Sequence, residues 1–161
     1  MLNIHKNRSK IVNQFLIYVF LILSGLVHAQ SKETLKKHLT NTLSYQHIKY
    51  KTAGKESQIS IYQIEFKNCT MSYPIFIKKG NKTERFKVRI LLSRINEITM
   101  TETKQGFYAI NFVTTGKSIL KEYPNGALVH EIKQIIPLKK YDPKALDYFK
   151  KLKGMCAKES T

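Results

Sequence analysis

Residues 69–92 read CTMSYPIFIKKGNKTERFKVRILL, and this stretch decides the fold. Apolar side chains recur at every second position on both sides of its centre, which is the period of a half-buried β-strand. The centre, Lys79–Lys82, contains Gly80 and Asn81, which favour a tight turn. The stretch therefore predicts a long antiparallel hairpin with one apolar face turned to a core.

Further strands are predicted on both sides of this hairpin. Alternating apolar residues and turn signals recur from Ile48 to Ile136, with a break in phase near Tyr62. Asn125-Gly126 is the strongest hairpin signal and leads into one long last strand, residues 127–136. We expect about seven antiparallel strands in a bent sheet or small barrel.

Two segments have helical spacing and enclose the strands. Leu35, Leu39 and Leu43 form one apolar stripe. Asp142-Pro143 supplies a capping residue and a proline at the first helical position of the second segment. The apolar stripe of that segment consists of Ala145, Phe149, Leu152 and Cys156. The predicted fold class is α+β, with an N-terminal helix and a C-terminal amphipathic helix.

The first 29 residues have the pattern of a cleavable secretory signal. A basic head without acidic residues precedes an apolar run that begins at Phe15, and Val27-His28-Ala29 matches the cleavage rule. We therefore expect a signal peptide, residues 1–29, and a single domain, residues 30–161. The alternative is an N-terminal membrane anchor, although the run is shorter than the ~20 residues that span a bilayer.

Export changes the interpretation of the two cysteines, Cys69 and Cys156. In an oxidising compartment an even pair predicts a disulfide. The loop of about 88 residues that it closes would stabilise the fold by about 4–5 kcal/mol in the chain-entropy model. Two unpaired thiols are the alternative.

The chain is strongly basic, with 28 Lys and Arg against 11 Asp and Glu and a net charge of +17. Residues 1–29 hold three of the basic residues and none of the acidic ones, so an exported chain keeps 25 against 11. Such a surplus favours an anionic surface, a glycan or a lipid head group as partner, and another envelope protein is a further candidate. Intracellular nucleic acid is not expected for an exported protein. The alternative is an even spread of charge that keeps the protein soluble.

The predicted anion-binding residues lie in the central hairpin. Arg85, Lys87 and Arg89 alternate with core residues and should project from one strand face, whereas Phe86 should point inward. The full candidate set is Lys78, Lys79, Lys82, Arg85, Lys87 and Arg89. A solvated face without a partner is the alternative.

The motifs of common enzymes are absent from the sequence. The carboxylates are scattered, and no His-Glu-x-x-His, Gly-x-Ser-x-Gly or glycine-rich phosphate loop occurs. We expect no cofactor, no metal and no catalysis. An acid–base pair for phosphodiester cleavage would need the fold to bring His47 and His130 together.

The order of strands and closing helix, from Ile48 to Cys156, resembles a pleckstrin-homology-type barrel, with calycin barrels as the alternative fold. The run from Phe66 to Thr70, together with Cys156, is similar to small exported bacterial domains without an assigned activity. The resemblance implies a periplasmic or secreted domain and supplies no site residues.

The sequence thus predicts an exported, non-catalytic domain that binds an anionic or amphipathic partner at the periplasm or cell surface. Two alternatives stay open. The nine tyrosines and eight phenylalanines can line the pocket of a barrel-type carrier of a small apolar ligand. The second alternative is the histidine-dependent phosphodiesterase.

Overall fold

The computed structural model describes residues 32–52 and 54–159. The chain divides into two compact units, Met1–Thr34 and Leu35–Thr161, and the fold described below is that of the second unit. The predicted signal peptide, residues 1–29, lies outside the described residues. The division at residue 29 therefore stays a prediction.

Two helices flank ten strands in the part of the chain that the structure describes. In chain order the elements are α1 (residues 32–43), β1 (Gln46–Thr52), β2 (Lys55–Ile61), β3 (Glu65–Lys67), β4 (Thr70–Lys79), β5 (Lys82–Leu91), a 3-10 turn (Leu92–Arg94), β6 (Ile95–Glu102), β7 (Tyr108–Thr114), β8 (Ile119–Glu122), β9 (Leu128–Glu131), β10 (Lys133–Leu138) and α2 (Pro143–Lys158). The predicted α+β class, with a helix at each end, is confirmed.

The strands form two antiparallel sheets that do not close on themselves. The larger sheet has the order β1-β2-β4-β5-β8-β9, with β3 also paired to β4. The smaller sheet has the order β10-β7-β6. The 3-10 turn follows β5 directly and carries the chain from the larger sheet to the smaller one.

The hairpin of β4 and β5 is the longest pairing in the larger sheet, from Thr70↔Leu91 to Lys79↔Lys82. Its predicted alternation is confirmed, and the inward side chains of both strands are buried. They are Met71, Tyr73, Ile75, Phe86, Val88 and Ile90. Gly80 has a φ of +58° in the connecting turn, a conformation that glycine adopts without steric cost.

The structure has more strands than the predicted seven because three segments differ from expectation. The strand expected to continue through a bulge near Tyr62 ends at Ile61, and β3 is a separate strand that pairs with β4. β1 and β2 form a hairpin of their own around Gly54, whose φ is +77°. The single last strand expected over residues 127–136 breaks at Ile132 instead. Its first part, β9, pairs with β8 in the larger sheet, and its second part, β10, pairs with β7 in the smaller one.

Both helices bury the stripes that their sequences predict. Leu39 and Leu43 of α1 join the core, and all four stripe residues of α2 have no exposed surface. The carboxylate of Asp142 accepts a hydrogen bond from the Ala145 amide at 3.0 Å, as expected for an N-cap. No helix among the described residues is long and apolar enough to cross a membrane.

The predicted disulfide between Cys69 and Cys156 is confirmed. Their Cα atoms lie 5.5 Å apart, although 87 positions separate them in the chain. Cys156 lies on the buried stripe of α2, and Cys69 lies in the turn that precedes β4. The bond therefore ties the last helix to the start of the central hairpin.

Candidate binding surface

The side of the larger sheet that points away from the core is strongly basic, and we call it the outer face. Residues directly opposite each other on neighbouring strands point to the same side of a sheet, so the register defines its members. Its basic members are Lys49, Lys51, Lys67, Lys78, Arg85, Lys87 and Arg89. Its carboxylates are Glu56, Glu65 and Glu122. The balance of these side chains is clearly positive.

The predicted row of Arg85, Lys87 and Arg89 does lie together on the outer face, as the alternation of β5 requires. Arg89 forms an ion pair with Glu122 of β8. The charge of Arg89 is thus partly neutralised by a partner that the sequence did not reveal. Lys87, also opposite Glu122 in the register, forms no ion pair among the described residues.

The three lysines near the β4–β5 turn separate into two groups. Lys78 lies on the outer face, where it is the cross-strand partner of Thr83 and Gln58. Lys79 and Lys82 face each other across the turn and point to the opposite side of the sheet. The outer face therefore includes four of the six predicted residues.

An aromatic cluster, made of His47, Tyr62 and Phe76, lies on the outer face beside this basic row. The ring centroids of Tyr62 and Phe76 are 4.8 Å apart at an interplanar angle of 65°, and those of His47 and Tyr62 are 5.8 Å apart. The guanidinium carbon of Arg85 lies 4.9 Å from the Phe76 centroid. Phe86 is buried, as predicted, so Phe76 and not Phe86 supplies the aromatic ring next to the basic residues.

Sequence reasoning missed this cluster although a signal for Phe76 was present. Phe76 lies between the inward-facing Ile75 and Ile77 and is the cross-strand partner of Arg85. Strand alternation therefore places it on the outer side. Tyr62 gave no such signal, because it follows the end of β2, where the alternation stops.

A cleft of about 590 Å³ lies where the β1–β2 hairpin meets the β4–β5 turn. Four of its lining residues are lysines, and we call it the lysine cleft: Lys49, Lys51, Lys55 and Lys78. Glu56 is the carboxylate that lines it. The first three lysines were not candidates at the level of sequence, because the pairing of β1 with β2 was not foreseen.

Two shallower depressions continue along the outer face, with volumes of about 510 and 360 Å³. Pro74 and Lys87 line both of them. Phe76 and Arg85 line the larger one, and Tyr62 lines the smaller one. The basic row, the aromatic cluster and these depressions thus occupy the same surface.

Carboxylates elsewhere pair with other groups. Lys121 pairs with Glu131 at 3.1 Å, and Asp147 pairs with Lys151 at 2.9 Å, a hydrogen bond that raises the pKa of the Lys151 ammonium. The Tyr123 hydroxyl donates to Glu84 at 3.0 Å. Desolvation first, and then Glu84, raises the pKa of the Tyr123 phenol.

His47 and His130 lie on opposite edge strands of the larger sheet. His47 lies in β1 and contacts the hydroxyl oxygen of Ser60 at 3.0 Å, whereas His130 lies in β9. β1 and β9 are the opposite edges of the larger sheet, five strand spacings or roughly 24 Å apart along it. The strand order gives the phosphodiesterase alternative no support, and that alternative stays a prediction.

Residues 32–52 and 54–159 contain no group of three or more His, Cys, Asp or Glu side chains placed to hold a metal ion. Comparisons of the chain with protein-family models, with curated proteins and with solved structures find no match. The resemblances to a pleckstrin-homology-type barrel and to small exported bacterial domains stay predictions.

Proposed function

We propose that this chain is an exported, non-catalytic domain whose outer face binds an anionic glycan at the periplasm or cell surface. The observation that carries the proposal is the aromatic cluster set among the basic side chains of one sheet face. Charge supplies attraction to the polymer, and the rings and neighbouring polar groups supply contact with its sugar units.

Export is supported by two features that are independent of the outer face. Residues 1–29 have the pattern of a secretory signal. The disulfide between Cys69 and Cys156 belongs to the type of bond that persists in oxidising compartments. An uncleaved leader would anchor the domain on the same side of the membrane.

The attraction of the outer face for anions comes from basic groups that the fold leaves unpaired. Among the described residues, the four lysines of the lysine cleft and Lys87 form no ion pair with a carboxylate. Positive charges that share one surface repel each other until an anion binds. Binding of a polyanion relieves that repulsion, and added salt should weaken it.

The geometry of the aromatic rings favours a glycan over single-stranded nucleic acid. Proteins that bind single strands present open ring faces on which successive bases stack. Here Tyr62 meets Phe76 nearly edge-on, and the Arg85 guanidinium lies over the Phe76 ring. The two rings are therefore not arranged as parallel stacking platforms, whereas sugar rings need only edges, hydroxyl groups and charge.

No specific observation favours the carrier of a small apolar ligand. The centre of the core is filled by large side chains without exposed surface, among them Tyr73, Phe112 and Phe149. A cleft of about 510 Å³ beside Tyr50 and Phe107 is also lined by Lys55 and Lys79, which an apolar ligand does not need. The aromatic residues that suggested a pocket are thus mostly core residues or members of the aromatic cluster.

The experiment compares glycan binding by the wild type with binding by two charge-matched variants. The Arg85→Gln/Lys87→Gln variant removes two charges from the outer face, and the Lys144→Gln/Lys150→Gln variant removes two exposed charges from α2. Binding of heparin and of polygalacturonate is measured by calorimetry at about 50 mM and about 500 mM salt, which bracket a long and a short screening length.

We expect the outer-face variant to lose about tenfold in affinity and the α2 variant to stay close to wild type. Equal losses in both variants would show that only net charge matters. Undetectable binding of both polymers at low salt would remove the proposal. Tighter binding of single-stranded DNA than of either glycan would move the protein to another class.

A further inference from the structure

We infer that the lysine cleft holds a tetrahedral oxyanion ester, a phosphate or sulfate group carried by the glycan. The inference rests on the proposed function, because the cleft lies at one end of the outer face. It adds that the glycan must carry phosphate or sulfate groups, whereas a diffuse positive surface would accept any polyanion.

The backbone brings Lys49, Lys51 and Lys78 to the outer face, and Lys55 lines the cleft from the start of β2 at the β1–β2 turn. Lys49 and Lys78 flank Gln58 as its cross-strand partners on either side. The Gly80 amide donates to the Glu56 carbonyl oxygen at 3.2 Å, which joins the β4–β5 turn to the β1–β2 hairpin. Long lysine side chains that start two strand spacings apart, about 10 Å, can converge on one bound group.

The charge in the lysine cleft favours a group that several ammonium groups can contact at once. Four lysines and one carboxylate, Glu56, line the cleft, and none of the four lysines forms an ion pair within the described part of the chain. A phosphate monoester carries up to two negative charges and so offsets more of this repulsion than a carboxylate. A sulfate ester carries one charge, but its three terminal oxygens can accept hydrogen bonds from several ammonium groups at once.

The residue types point to the same chemistry. The lining contains lysines and no arginine. The lysine ammonium is a point charge with three rotatable donors, and lysine is a common phosphate ligand in proteins. Gly80 and Asn81 bring turn backbone to the rim of the cleft. The volume of about 590 Å³ also suits a charged sugar unit.

The test of the site uses small ions and the amide NMR signals of Gly80 and Asn81. Inorganic phosphate, inorganic sulfate and acetate are titrated at equal ionic strength into the wild type. Phosphate or sulfate should give saturable shifts at these two amides, and acetate should not. The Lys49→Gln/Lys78→Gln variant should lose the saturable shifts, while Lys144→Gln/Lys150→Gln should retain them.

A second measurement, with polymers in place of small ions, tests whether a glycan supplies the phosphate or sulfate group. Dextran sulfate and a phosphorylated mannan are compared with polygalacturonate, which carries carboxylates alone. We expect the Lys49→Gln/Lys78→Gln variant to lose the preference for the ester-bearing polymers by about tenfold while still binding polygalacturonate.

The inference and the proposed function fail in different ways. Equal shifts with acetate, or shifts spread over lysine-rich surfaces away from the cleft, would overturn the inference even if Arg85 and Lys87 proved essential for glycan binding. The proposed function would be overturned instead if the wild type bound none of the polymers while inorganic phosphate still shifted the amide NMR signals of Gly80 and Asn81.

Discussion

Arg85 and Phe76 are direct cross-strand partners on the outer face, and the guanidinium carbon lies 4.9 Å from the centre of the Phe76 ring. This contact joins the basic row to the aromatic cluster. It also orients one of the longest side chains of the surface, so that less rotamer freedom is lost when an anion binds there.

The Arg85–Phe76 contact should be measurable as a coupling energy. Single and double variants with Arg85→Ala and Phe76→Leu should give an interaction of about 0.5–1 kcal/mol in urea unfolding, the range of exposed cation–π pairs. Arg89 is the control, since its partner across the strands is Ser72, and Arg89→Ala should add independently to Phe76→Leu. A coupling of zero for Arg85 would contradict the contact.

The disulfide should contribute strongly to stability. Because it closes a loop across 87 positions, reduction should lower the free energy of unfolding by about 2–5 kcal/mol. The measurement is denaturant unfolding with and without reductant. The Cys69→Ser/Cys156→Ser variant should be as unstable as the reduced wild type and insensitive to reductant. Mapping that found two free thiols in the exported protein would refute the bond.

Phe149 should be among the most sensitive positions of the core. Its side chain has no exposed surface and contacts the rings of Phe112 and Phe66, at centroid distances of 5.0 and 6.4 Å. Phe149→Ala should cost about 3–5 kcal/mol of unfolding free energy through lost contacts and a residual cavity. Lys150→Ala, the exposed neighbour, should change stability by less than about 0.5 kcal/mol. Similar losses in both variants would mean that α2 does not dock through Phe149.

The cap of α2 should contribute more than the ion pair on its surface. Asp142→Ala leaves the Ala145 amide without its acceptor and should cost about 1 kcal/mol. Asp147→Ala removes an exposed pair with Lys151 and should cost less than about 0.5 kcal/mol. Thermal unfolding of both variants measures the difference, and the reverse order would show that the cap is not formed.

The buried hydroxyl of Tyr73 predicts a pH effect of definite sign. It has no hydrogen-bond partner within the described residues, although the Gln134 side chain is close enough to influence it, and burial raises the pKa of its phenol. The folded state therefore disfavours the phenolate, and stability should fall as the pH rises above about 10, where the unfolded chain ionises. Below that pH the contribution is fully present.

Tyr73→Phe isolates this effect. The variant should be as stable as the wild type at neutral pH, or more stable by about 1 kcal/mol, because it removes an unsatisfied polar group. The difference between the two should grow in favour of the variant above about pH 10. The measurement is the free energy of unfolding of both proteins as a function of pH. If the two curves stayed parallel above about pH 10, ionisation of Tyr73 in the unfolded chain would not explain the loss of stability.

Much of the fold follows from local patterns. Strand alternation placed Phe86 inward and Arg85 outward, and helical spacing placed Phe149 and Cys156 on one buried stripe. These predictions succeed because a segment with one buried face repeats its apolar residues with the period of its secondary structure, about two residues in a strand and about 3.6 in a helix. The disulfide required one further premise, an oxidising compartment.

Other features depended on which strands pair. The β1–β2 hairpin carries lysines, serines and glutamines among its few apolar residues, so its alternation was weak. The break at Ile132 has no turn residue to mark it, because it reflects the move of the chain from β8 to β7 as partner.

By itself, the sequence determined the α+β class, the two helices, the central hairpin and the direction of the basic row. Only the tertiary structure decided that Tyr62 lies beside Phe76, that Glu122 pairs with Arg89, and that the lysine cleft exists. The physical reason is that periodicity records which side of a strand is buried. It carries no information about which strand lies next to it, and a binding surface is made of neighbours.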